Sequence, residues 1–114
     1  MHEFSIAQSL VDIIREEMSK AGLKKLSSVH LKVGEFTHLV PDSLSFCFEI
    51  ICKEYDALSG SRMEIELVPT LAHCNSCGRD FHVEGALFIC PGCRGGDIEV
   101  LSGREMSIES IEGD

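Results

Sequence analysis

The chain has 114 residues, a formal net charge of −9 and six cysteines, and 44% of its residues are hydrophobic. That length supports one small domain, or a small domain with a metal-held subdomain, because a short chain buries only a modest core. The acid excess argues against a phosphate-binding surface, since nucleic-acid binding rests on Lys and Arg neutralising phosphates. No apolar run approaches the ~20 residues of a membrane span, and Met1-His2-Glu3-Phe4-Ser5 lacks the basic segment of a secretory signal.

Taken in chain order, residues 5–21 read as an amphipathic helix. Ala7, Leu10, Val11, Ile14 and Met18 follow the i, i+3, i+4 spacing, with Ile6 and Ile13 widening the stripe. Ser5 and Gln8 fit a capping box, which starts the helix after residue 5 and leaves Met1 to Glu3 as a short arm. Gly22 is the natural stop. Residues 28–36 alternate through Val29, Leu31 and Val33, the pattern of a strand.

Pro41 and Asp42 open a second helix to about Glu54. Leu44, Cys47, Phe48 and Ile51 form its apolar stripe, and Phe46 and Ile50 widen it enough for burial on two sides. Residues 62–68 alternate again, and a last strand runs near 104–111. The expected class is α+β: two helices on a small mixed three-stranded sheet, with an inserted zinc-ribbon module. Residues 1–69 plus 102–114 would form the α+β domain and 70–101 the ribbon. The strands at 62–68 and 104–111 are expected to pair antiparallel, with polar joins such as Ser102-Gly103 allowing hinge motion between the parts.

The ribbon rests on Cys74, Cys77, Cys90 and Cys93, two C-x-x-C pairs with twelve residues between the inner cysteines. A two-residue gap lets both thiolates of a pair face one point, and two such turns complete the tetrahedral S4 shell that zinc prefers. The stretch between the pairs suits a short hairpin that brings the turns together. Four thiolates leave no open position, so such a zinc is structural. Cysteines in metal spacing suit a reducing compartment, here the cytoplasm. The ribbon is itself acidic, with Arg79 and Arg94 against Asp80, Glu84, Asp97 and Glu99.

Met1-His2-Glu3 is a second candidate metal site. The α-amine of Met1, the amide nitrogen of His2 and its imidazole Nδ1 close fused five- and six-membered chelate rings. The Glu3 amide or carboxylate, water or another histidine completes a square plane. Square-planar nitrogen donors favour Ni(II) or Cu(II), and the amide must lose its proton to bind. The bulk of His2 also hinders removal of Met1. The competing reading is an ordinary disordered terminus.

The whole chain resembles the HypA/HybF family, nickel metallochaperones of nickel–iron hydrogenase maturation. The matching pieces are Met1-His2-Glu3, Ser9-Leu10, Val33-Gly34-Glu35, Pro41-x-x-Leu44-x-Phe46-x-Phe48, the two cysteine pairs, and Gly103-x-Glu105-Met106-x-Ile108-x-x-Ile111-Glu112. The resemblance implies a nickel carrier and not an enzyme. His2 would be the key nickel ligand, with Met1 and Glu3 participating, and the four cysteines would hold zinc. Its implied partners are a maturation GTPase, the hydrogenase large-subunit precursor and, in some relatives, a urease accessory protein. Monomer and homodimer both stay open. Arg94 stands where some relatives carry a nearby histidine.

The remaining candidates weigh less. His73 and His82 flank or lie between the cysteine pairs, but four thiolates already close the shell. His38 is a candidate remote nickel donor, His30 a solvated residue, and Cys47 a core residue, five positions from Cys52 and on another face. No Gly-rich phosphate loop is present, so nucleotide hydrolysis would belong to a partner. The alternative from another class is a zinc-ribbon adaptor for nucleic acid or protein, with the charge opposing the former.

Overall fold

The fold, given by a computed structural model, describes residues 2–85 and 87–114, with every side chain among them except that of His2. Helix α1 spans His2–Ala21 and buries Ala7, Leu10, Val11, Ile14 and Met18, the stripe expected from the spacing. Ile13, expected to widen it, is 47% exposed. The helix ends in a Schellman motif. Gly22 takes φ +73, Leu23 N–H donates to Met18 O at 2.9 Å and Gly22 N–H to Ser19 O at 3.3 Å, using carbonyls that would otherwise lack partners.

The start of α1 corrects the sequence reading. His2 and Glu3 are helical, not an arm, and Ser5 lies inside the helix instead of capping it. Glu3 supplies the physical reason. Its carboxylate sits in the first turn, where it opposes the positive end of the helix dipole, and Oε2 accepts from Val40 N–H at 3.4 Å. Met1, the remaining residue of that expected arm, lies outside the described residues.

Helix α2, Pro41–Cys52, begins with proline at its first turn, where no N–H is needed, and packs on α1. Leu44, Phe48, Ile51 and Cys52 are buried. Full burial of a side chain such as Phe48 contributes about 1.5–3 kcal/mol. Burial on two sides does not occur, for Phe46 is 63% and Ile50 42% exposed. Cys47 is half-buried, so the wholly enclosed thiol of this helix is Cys52.

Strand β1 (Leu26–Gly34) lies between β2 (Arg62–Val68) and β6 (Met106–Gly113) in one three-stranded sheet. The expected direct pairing of 62–68 with the last strand is therefore replaced by β1 between them. Burial explains the order. Leu26, Val29, Leu31 and Val33 are all at most 2% exposed, whereas no residue of β2 or β6 is fully buried. The most buried strand of the sheet takes the position in which both of its edges are paired. The class is α+β, as expected.

A second sheet, in the order β4-β3-β5, is antiparallel throughout and comprises Leu71–Cys74 (β3), Asp80–His82 (β4) and Ile98–Ser102 (β5). Leu71 pairs with Ser102 and Ala72 with Val100, so Leu101 is a bulged residue. The chain divides into two compact units. One comprises the residues up to Lys32, Leu39–Glu66 and Ser107–Asp114; the other comprises Val33–His38 and Leu67–Met106. Among the described residues, no helix is long and apolar enough to cross a membrane.

Candidate metal centre

Each C-x-x-C pair is a turn closed by the same two backbone hydrogen bonds. In the first, Gly78 N–H donates to Cys74 O at 2.8 Å and Cys74 N–H to Arg79 O at 2.8 Å. In the second, Arg94 N–H donates to Cys90 O at 2.8 Å and Cys90 N–H to Gly95 O at 3.0 Å. The residue after each second cysteine takes positive φ, +78 at Gly78 and +61 at Arg94. Arg94 thus adopts the left-handed conformation that a glycine fills in the twin turn.

The turns meet through β3. It pairs with β4 on one side and β5 on the other, and the β3–β4 hairpin encloses the first cysteine pair. The hairpin expected between the pairs lies instead around one of them. Arg79 spans both turns, its carbonyl closing the first. A Cβ at Gly92 in the second would lie 2.9 Å from the Arg79 Cζ, so the guanidinium occupies the space that glycine leaves. A glycine between the second pair of cysteines is the one local sign of this role.

The four Sγ atoms lie within 4.8 Å of one another, with Cys74–Cys93 and Cys77–Cys90 both at 3.5 Å. A tetrahedral shell with ~2.3 Å metal–sulfur bonds has edges of about 3.8 Å, so this donor set fits a tetrahedral thiophilic ion. The thiols sit close enough to share protons. The Cys93 N–H, then that of Gly92, holds Cys90 down to about 6, and the Cys77 N–H lowers Cys74. Cys77 is pushed up to about 11: the Arg79 N–H opposes the shift, but hydrogen bonds with the Cys90 and Cys74 thiols outweigh it. Cys90 is thus prepared as a thiolate and Cys74 is biased toward one, and a bound dication would displace the remaining protons.

Among the described residues, no histidine joins this group. His73 Nδ1 pairs with Asp80 Oδ1 at 2.5 Å across the β3–β4 hairpin. His82 Nε2 meets Glu35 Oε1 at 2.8 Å, and its Nδ1 meets Glu84 Oε1 at 3.2 Å. The Glu35 hydrogen bond, then that of Glu84, raises the His82 pKa; the His82 contact, then the Thr70 N–H, lowers that of Glu35. Glu35 also accepts from Thr70 N–H at 3.2 Å, which fastens residues 33–38 to the cysteine-bearing segment.

Two glycines reinforce that attachment. Gly34 N–H donates to Glu105 O at 2.6 Å and Phe36 N–H to Gly103 O at 2.8 Å. A Cβ on Gly34 would lie 2.1 Å from the Gly103 carbonyl oxygen. The Val33-Gly34-Glu35 and Gly103-x-Glu105 pieces of the sequence therefore meet, which their separation along the chain hides.

Of the amino-terminal residues, Met1 and the His2 side chain lie outside the described residues, and Glu3 is placed in the first turn of α1. His38, the expected remote donor, takes φ +61 with its ring 5.4 Å from that of Phe36. His30 pairs with Glu64 at 2.7 Å.

A family model described as "Hydrogenase/urease nickel incorporation, metallochaperone, hypA" matches residues 1–113. A relative from Geobacter metallireducens, named hydrogenase maturation factor HypA, is 39% identical over 112 residues, covering 98% of each chain. One of the same name from Desulfosudis oleivorans is 40% identical over 114 residues, covering 98% of this chain and 97% of the relative. The solution structure of the Ni metallochaperone HypA from Helicobacter pylori aligns with a TM-score of 0.68 at 21% identity, covering 97% of this chain and 96% of that one. A second structure, titled "Solution structure of HypA protein", aligns at 0.71 with 23% identity, covering 99% and 96%. Both structures share the fold.

Proposed function

The chain belongs to the HypA family, and from that footing we propose that it is a nickel metallochaperone. It holds Ni(II) at its amino terminus through the Met1 amine, His2 and Glu3, and releases it for nickel–iron hydrogenase maturation. Cys74, Cys77, Cys90 and Cys93 keep a structural zinc. The recipients are a maturation GTPase and the hydrogenase large-subunit precursor, with a urease accessory protein as a further client. The protein acts as a cytoplasmic carrier and catalyses no reaction.

The observation that carries this reading is a family match extending from residue 1 to residue 113, across both candidate sites. The start of α1 supports it. The first N–H groups of a helix have no intrahelical acceptor, so ionising the His2 and Glu3 amides onto a metal breaks no helix hydrogen bond. The ionised amides also offset the repulsion between a dication and the positive end of the helix. The Glu3 carboxylate accepts a long hydrogen bond from Val40 N–H, a weak hold from which it can turn toward the ion.

Calorimetric titration with Ni(II) tests the site. One residue added before Met1 removes the α-amine from the chelate and is expected to weaken binding by about tenfold or more, ~1.4 kcal/mol. His2→Ala is expected to be worse and His2→Gln comparable, with zinc content and far-UV circular dichroism unchanged. Acidification releases nickel as protons compete for the donors. Unchanged affinity in both the extended chain and His2→Ala would sink the amino-terminal site.

A further inference from the structure

Helix α2 has two faces of different composition. Leu44, Phe48, Ile51 and Cys52 point into the core. The opposite stripe, at i, i+4, i+7, i+8 and i+11, consists of Asp42, Phe46, Glu49, Ile50 and Lys53, all exposed. Single apolar residues on a surface are ordinary. Here, however, a phenylalanine 63% exposed and an isoleucine 42% exposed stand one helical turn apart on the same face. They line a groove of about 430 Å³ whose other wall is the Ser59-Gly60-Ser61 turn.

That wall is fixed before anything binds. Ser59 N–H donates to Tyr55 O at 2.9 Å, Ser61 N–H to Leu58 O at 3.1 Å, and the buried Ser61 hydroxyl to Leu58 O at 2.7 Å. The groove is thus preformed and sized for one or two bulky apolar side chains. Phe46 also belongs to the Pro41-x-x-Leu44-x-Phe46-x-Phe48 piece of the sequence. Core packing accounts for Leu44 and Phe48 but not for Phe46. Neither metal site uses it.

We propose that the Phe46–Ile50 face of α2 is a docking surface for an amphipathic helix of a partner protein, with apolar anchors in the groove and basic residues flanking them. The charges select this occupant. Asp42 and Glu49 border the anchors on the stripe and call for Lys or Arg opposite, while Lys53 at its far end calls for an acid. A second copy of this chain is a poor occupant, because two chains of net charge −9 repel. An apolar helix face laid into a groove, read by anchors at i and i+4, is a recurrent mode of peptide recognition. Aromatic anchors such as Phe46 carry much of the energy of such contacts. The surface is independent of nickel and zinc, so its test and that of the metal sites fail separately.

The test uses the full chain and a fluorescein-labelled peptide of about fourteen residues, four helical turns, with Leu at i, i+3, i+4 and i+7 and Lys elsewhere. Controls replace Lys by Glu, or Leu by Ser. Fluorescence anisotropy is expected to show binding of the Leu/Lys peptide, with at least about tenfold weaker binding of either control. Phe46→Ser and Ile50→Ser should each weaken the Leu/Lys complex about tenfold, while the melting temperature and metal content hold. Asp42→Lys with Glu49→Lys should reverse the preference toward the Leu/Glu peptide. Equal affinity of the wild type and Phe46→Ser for the Leu/Lys peptide would overturn the proposal. So would a wild-type dimer in sedimentation that Phe46→Ser dissolves, since the face would then belong to self-association.

Discussion

In the unit built around α1 and α2, the buried side chains include Leu10, Ile14, Leu31, Leu44, Phe48 and Leu58. In the unit that carries the cysteines, the buried apolar side chains among the described residues are Val33, Ala72 and Val83, beside Cys74 and Cys90. The first can be held by withdrawing hydrocarbon from water. The second has too little hydrocarbon for that, and its order rests on the four thiols, on backbone crossings at Gly34 and Gly103, and on the Glu35–His82 pair. The same chain thus uses a core where a core can be built and a group of four converging thiols, a candidate metal site, where it cannot.

The largest expected effect separates the two units. Cys74→Ala or Cys93→Ala removes one of four candidate ligands, and a structural zinc held there would contribute on the order of 10 kcal/mol to apparent folding free energy. Zinc measured by elemental analysis should fall below stoichiometry, and amide protection should vanish in 70–101. The helical signal in far-UV circular dichroism should persist, because α1 and α2 bury each other without the metal. Loss of the helical signal together with the zinc would show that the units do not stand apart.

The reverse experiment is Phe48→Ala. Emptying a fully buried phenylalanine site costs about 3–5 kcal/mol. The helices should melt earlier while zinc stays bound, the mirror image of the cysteine variants.

Gly34→Ala probes the backbone crossing. The new methyl group would sit on the Gly103 carbonyl and force the end of β1 away from the 103–104 backbone at a cost of about 1–3 kcal/mol. Faster amide exchange at Phe36 and Thr70, with the core of α1 and α2 unaffected, is the expected signature.

The smallest effect is pH dependence. His82 titrates above its ordinary 6.5, so its contribution is complete below that value and is lost as pH rises through the raised folded value. Glu35 titrates below its ordinary 4.5, so its contribution is present above 4.5 and is lost as pH falls through the lowered one. The pair therefore holds best from about 4.5 to 6.5. The amide protection factor at Thr70, corrected for intrinsic exchange, should be highest in that window, and Glu35→Gln should flatten its dependence.

The reading of α1 and α2 from periodicity succeeded on the inner faces, because the positions that repeat every three to four residues are those a helix must turn toward one side. It failed on the outer face of α2, where Phe46 and Ile50 look like core in a string of letters. Only their exposure in the folded chain shows that no described residue covers them. The Ser5 capping pattern misled for a similar reason. The carboxylate of Glu3 takes up a backbone N–H 37 residues away, a contact that no local pattern contains.

What the sequence determined by itself was the local chemistry. The C-x-x-C spacing set two turns whose thiols converge, the apolar stripes set two helices, and the acid excess set a net charge of −9. The tertiary structure decided what is distant in the chain. It put β1 between β2 and β6, brought Gly34 to Gly103 and Glu35 to His82, and laid Arg79 of one cysteine turn against Gly92 of the other. Turns and helices follow from neighbours a few residues apart, whose geometry the backbone fixes. Strand order and long-range pairs follow from which surfaces lose most water when they meet, and that depends on the whole chain at once.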